Sequence, residues 1–164
     1  MPVPFRVVDS PEITRNFEDL DGRVARLESP HRFQIERTTS QTIPAGFGTW
    51  IDFTTNLFSD GATVDLTNDV VTLTGGLWLI TLRVWWPSFA ANTNYAIGVL
   101  APDNTRYLLQ GLNLDFVNRD PMTTTGLLYS SQTTWQIKGF VVHSNSSSQQ
   151  ITRAIMTGVR LWSG

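Results

Sequence analysis

The side chains able to do acid–base or metal chemistry are few and poorly grouped. The two histidines, His31 and His143, have no second histidine or glutamate at ligand spacing. They read as junction or surface residues rather than bases or metal ligands. Asp60, Asp65 and Asp69 form a loose acidic group whose spacing does not follow a calcium loop. The chain contains neither a Gly-x-Ser-x-Gly nucleophile elbow nor a phosphate-cradling glycine loop. Asn145-Ser146-Ser147 has the form of a glycosylation acceptor. Among the 14 acidic residues no pair stands out as a glycosidase couple, so a glycoside-cleaving enzyme is the weakest reading. The expectation is a protein with no enzymatic activity, no cofactor and no metal.

The aromatic residues say more. Six tryptophans occur in 164 residues, at positions 50, 78, 85, 86, 135 and 162. Trp78 and Trp86 fall on the regular apolar face of a strand, and Trp135 shares a face with Ile137 and Val141. Trp50, Trp85 and Trp162 fall opposite the expected core. A large aromatic there is a subunit-interface anchor or a ligand platform. For Trp85 the interface is favoured, and Trp50 and Trp162 are the candidates for a platform.

These residues are positioned mainly by strands, organised around Gly75–Trp86. Its even positions (Trp78, Ile80, Leu82, Val84, Trp86) are all large and apolar, which marks a long strand with one buried face. The other face carries Leu77, Leu79, Thr81, Arg83 and Trp85 and is too apolar to stand in water. It predicts a second covering surface. From Phe33 onward a period of two recurs in short segments at roughly 8–12-residue spacing, separated by turn residues. About ten such strands without intervening helix predict an antiparallel sandwich. The expected strands include 47–53, with Phe47, Thr49, Ile51 and Phe53 on one face, and 94–100, 105–112, 122–129, 133–142 and 150–162, and a turn is expected at Ser59-Asp60-Gly61.

The first thirty residues differ. Residues 1–10, with Val3, Phe5, Val7 and Val8, read as an extended arm suited to docking along a partner's groove or sheet edge. Ser10-Pro11-Glu12 is a helix start. Ile13, Phe17, Leu20, Val24 and Leu27 then follow a 4, 3, 4, 3 spacing, with Phe17 and Val24 at a and the others at d of a heptad. Residues 11–29 are therefore expected to form a short coiled coil between copies. About two and a half heptads are marginal alone, and Gly22 weakens them further. The strands must supply most of the assembly energy.

Composition narrows the partners. The net charge is −2, and Lys138 is the only lysine. No basic field exists to draw nucleic acid or an anionic membrane. Without cysteine there is no disulfide framework and no thiolate metal site. No apolar run approaches the roughly 20 residues of a membrane helix, and the first residues lack the pattern of a signal peptide.

Residues 33–164 resemble the C1q/TNF-like jelly roll, especially the versions in tailed-phage virion proteins. The resemblance is carried by Gln41-Thr42-Ile43-Pro44, by Thr49-Trp50-Ile51-Asp52-Phe53, by Gly76–Trp86 and by the closing Thr157-Gly158-Val159-Arg160-Leu161. It implies a mainly β, ten-stranded antiparallel jelly-roll head in a homotrimer, with one sheet of each subunit facing the threefold axis. Leu77, Leu79, Arg83 and Trp85 then become expected interface residues. The family's collagen repeat is missing and the short coil stands in its place. The order of arm, coil and head looks like a phage accessory protein. The expectation is a tail-tip or fibre (minor tail) component anchored to other virion proteins by its arm, with a head that contacts the host surface. The alternatives are a capsid decoration protein or head fibre of the same fold, and a carbohydrate-binding adhesion module.

Overall fold

The computed structural model describes residues 31–90, 93–101, 107–113 (backbone only) and 121–162. The arm and the heptad seam expected in residues 1–30 lie outside the described residues, as do 91–92, 102–106, 114–120 and 163–164.

Among the described residues eleven strands follow in chain order: β1 Arg32–Arg37, β2 Gln41–Ile43, β3 Thr49–Trp50, β4 Thr55–Asp60, β5 Ala62–Asp65 and β6 Val70–Trp85, then β7 Tyr95–Leu100, β8 Tyr107–Asn113, β9 Met122–His143, β10 Gln149–Ile151 and β11 Arg153–Trp162. All pairings are antiparallel. The main path runs β4-β1-β11-β6-β9-β7-β8, with β5 on β6, β3 on β9, and β10 pairing β2 separately. No α-helix occurs among the described residues.

Two strands hold the layers together. β6 spans 16 residues and β9 spans 22. The second half of β6 pairs with β11 and with the first half of β9, while its first half pairs with β5 and with residues 134–137 of β9. Beyond that, β9 pairs with β7. The ladder shifts between Thr74 and Gly76, where β6 advances from Thr74 to Gly76 while β9 passes from Thr134 to Ser130. Glycine is required at this corner. A Cβ on Gly75 would lie 2.2 Å from the Gln132 carbonyl oxygen, and Gly76 adopts φ 126° with the Trp162 carbonyl where its Cβ would be.

The core lies between the layers. Trp78, Ile80, Leu82, Val84 and Trp86 are all buried, as the alternation predicts, together with Phe33, Ile35, Met156, Ile97, Val99, Ile137 and Val141. Trp135 packs against this core from its edge.

Four details differ from the expectations. The two strands expected at 122–129 and 133–142 are one, because the polar run Ser130–Thr134 is an exposed crossing between layers rather than a turn. The strand expected at 150–162 breaks at Thr152, whose N–H donates to the Trp85 carbonyl at 2.9 Å. β4 forms across Thr55–Asp60, where only a closing turn is expected. In the 47–53 stretch only Thr49–Trp50 form a ladder, although Ile51 and Phe53 are fully buried.

Candidate functional site

The alternation that buries one face of β6 turns Leu77, Leu79, Thr81, Arg83 and Trp85 to the opposite side. Register fixes what stands beside them. Leu79 lies between Val159 of β11 and Leu127 of β9, and Leu77 between Trp162 and Tyr129. Directly paired antiparallel residues share a face, so these side chains form one continuous apolar surface. It is uncovered: Leu79 is 37% exposed, Leu127 58%, Tyr129 59% and Trp162 56%. The Tyr129 and Trp162 rings stack at 6.1 Å and 20°. Stacking covers one face of each ring and leaves the rest to water. Leu161, in the β11 bulge, is also exposed.

The same face changes character along the strands. Beyond the leucine row, Thr157, Thr81 and Thr125 stand side by side with Gln34 at their β1 flank, and the Thr81 and Thr125 hydroxyls hydrogen-bond at 3.0 Å. Next come Glu36, Ile155, Arg83 and Thr123. Last is Trp85 beside Arg153, whose guanidinium sits 5.2 Å from the indole centroid. Phe58 of β4 closes one margin under the Arg32 guanidinium at 5.0 Å.

The expected interface residues Leu77, Leu79, Arg83 and Trp85 therefore lie on one face. Sequence reasoning missed their partners Leu127, Tyr129, Val159 and Leu161. The signal was available in 127–129, where three consecutive large apolar residues break alternation and leave an apolar side chain on each face.

The two platform candidates lie apart. Trp162 belongs to the apolar face just described. Trp50 is on β3, edge-on to Phe140 at 5.9 Å with the Lys138 ammonium 4.8 Å over its ring. That cation occupies one face of the indole.

The titratable residues serve the fold. His143 is buried, contrary to the surface position expected for it. Its Nδ1 accepts from the Asn145 backbone N–H at 3.2 Å, which leaves the proton on Nε2 for donation to the Ile43 carbonyl at 3.1 Å. His31 contacts the Arg160 guanidinium through Nδ1 at 3.1 Å. Asp65 accepts from Thr67 and Asn68, and these hydrogen bonds, led by the Asn68 side chain, lower its pKa. Asp69, at φ 56°, accepts from the Phe53 N–H at 3.1 Å. Burial, and next the neighbouring Asp52, raises its pKa above the ordinary value. Arg37 is clamped by the Asp52 carboxylate at 2.9 Å and the Ser40 carbonyl at 2.9 Å. Among the described residues no three His, Cys, Asp or Glu side chains gather as a metal site.

Comparison with known proteins addresses the fold. No protein-family model matches the chain, and no curated protein matches it in sequence. Solved structures do. The chain is similar to the PRD1 vertex protein P5 (15% identity, TM-score 0.58, covering 79% of this chain and 96% of that one). It is similar to murine APRIL (11% identity, TM-score 0.57, 81% and 100%) and to the globular domain of zebrafish complement 1qA (10% identity, TM-score 0.52, 81% and 98%). The fold of the described residues is a C1q/TNF-like jelly roll, as the sequence motifs imply.

Proposed function

We propose that this protein is a non-enzymatic structural virion protein of a tailed bacteriophage, assembled as a homotrimer through the β11-β6-β9 face. The observation that carries this reading is the uncovered surface of Leu79, Leu127, Tyr129, Val159 and Trp162 on a jelly roll whose described residues already enclose a buried core on the opposite face of β6. A contiguous apolar patch on a finished core is an association surface. The likeness to a vertex protein supports a place on the virion. In this reading Ile13, Phe17, Leu20, Val24 and Leu27 add a coiled coil to the head contacts. The arm, through Val3, Phe5, Val7 and Val8, ties the trimer to other virion proteins. The head projects as a tail-tip or fibre component and contacts the host surface.

Deletion of residues 1–10 tests the anchor. The truncated protein is expected to remain a soluble trimer that no longer joins particles, and normal incorporation would refute the arm's role. A second position, at a capsid vertex, is favoured by the likeness to a protein described as a vertex protein. Gold-labelled protein on particles in electron micrographs separates the two: label at the tail tip supports the first, and label at capsid vertices supports the second.

A further inference from the structure

The trimeric reading leaves one residue of the face without a role. Arg83 is exposed at the centre of the face and makes no hydrogen bond or ion pair among the described residues, whereas Arg32 covers Phe58 and Arg153 pairs with Glu36 and covers Trp85. A lone guanidinium taken into an interface without an acceptor is costly. Its acceptor is identified by the layering of the face.

Across β11, β6 and β9 the rows are chemically uniform, while the β1 and β4 flank carries Arg32 and Asp60 in the leucine row and Gln34 and Phe58 in the threonine row. One row is Trp162, Leu77 and Tyr129, the next Val159, Leu79 and Leu127, and the next the threonines. A rotation about an axis running along the strands preserves height, so each row meets the same row of the neighbouring copy. On β11, β6 and β9 apolar rows then meet apolar rows, and the β1 flank of each row meets the neighbouring copy at the same height, Arg32 at that of Leu79 and Gln34 at that of Thr81. The row of Arg83 holds a single carboxylate, Glu36, on the far side of Ile155. Within one chain the two are separated by two strand spacings, roughly 10 Å, which is too far for a pair. Glu36 is held at 3.1 Å by Arg153 through Oε2 alone, its side chain is 13% exposed, and Oε1 accepts no hydrogen bond among the described residues.

We infer that Arg83 of each copy pairs with Glu36 of the next around the threefold axis, and that this pair fixes the register of the interface. The apolar rows supply the attraction; they are greasy along their length and tolerate sliding. A charged row that is satisfied at only one height specifies which arrangement forms. The inference rests on the trimeric reading, and its test separates the two.

The test is a mutant cycle on the full chain: Arg83→Met, Glu36→Gln and the double variant, with trimer dissociation followed by sedimentation equilibrium. Each single change is expected to weaken the trimer about tenfold or more, and the double change no more than the worse single one. Near-UV circular dichroism of each variant checks that the fold persists. A trimer whose two single effects simply multiply, or that is indifferent to both, overturns the pairing and leaves trimerisation standing. A wild-type chain that never trimerises overturns both.

Discussion

Leu127 offers the sharpest perturbation of the proposed interface, because the monomer asks almost nothing of it. The residue is 58% exposed, in a row with Leu79 and Val159. Full burial of a leucine is worth about 1.5–3 kcal/mol. Covering the exposed share then contributes about 0.9–1.7 kcal/mol per copy, or about 3–5 kcal/mol per trimer. At about 1.4 kcal/mol per decade, Leu127→Ala should raise the trimer dissociation constant by roughly two to four decades. Leu127→Asp goes further. It carries three carboxylates into an apolar row without partners, each costing several kcal/mol, and should give a monomer at micromolar concentration. Isolated-subunit stability should stay within about 0.5 kcal/mol of wild type for either variant, as for other exposed positions. Sedimentation velocity measures the first effect and urea denaturation at concentrations where all variants are monomeric measures the second. A Leu127→Asp chain that sediments as the wild type does would refute the placement of this face at the interface.

Three further predictions concern the head itself. A Cβ on Gly158 would lie 2.2 Å from Phe33 Cε1 and 2.8 Å from Ile80 Cδ1, and both side chains are fully buried. Gly158→Ala should therefore cost about 1–3 kcal/mol in urea denaturation, and Phe33→Leu in the same chain should restore part of it. His143→Phe keeps the volume but loses the hydrogen bonds to Ile43 and Asn145, whereas His143→Ala also opens a cavity. The alanine variant should be the less stable by about 1–3 kcal/mol in thermal or urea melts, and equal stabilities would contradict tight packing around the ring. The raised pKa of Asp69 means that folding favours its neutral form, so the ionised carboxylate costs stability above the folded pKa. An asparagine at this position would keep the acceptor for the Phe53 N–H and tolerate the positive φ. Asp69→Asn should be slightly more stable than wild type at pH 7, by less than about 1 kcal/mol. That advantage should shrink as pH falls through the folded pKa and vanish below the unfolded value of 3.8; an advantage that persists in acid would contradict the charge argument.

The central strand was legible in the sequence because its alternation is unbroken from Trp78 to Trp86 and physical burial follows it residue by residue. β4 was not legible. Its outer positions are polar or half-apolar without a period, since an edge strand carrying a bulge opposite Gln34 and Ile35 buries almost nothing. The continuity of β9 was hidden for a related reason. Ser130–Thr134 has the composition of a turn because it is solvated, yet the strand runs through it to join the two layers. His143 shows a different limit. Its acceptor is the carbonyl of Ile43, 100 residues away, and no local pattern encodes such a contact. The face proposed as the interface was half legible: the β6 residues could be read from alternation, while Leu127, Tyr129, Val159 and Trp162 join them only through cross-strand register.

The molar mass of the intact chain in solution tests the account most directly. Light scattering on a size-exclusion column at micromolar concentration should return three times the 18.4 kDa of one chain. A single peak at 18.4 kDa would mean that the apolar face of β11, β6 and β9 is left to water or to a different partner, and would contradict the homotrimer on which the proposed function rests.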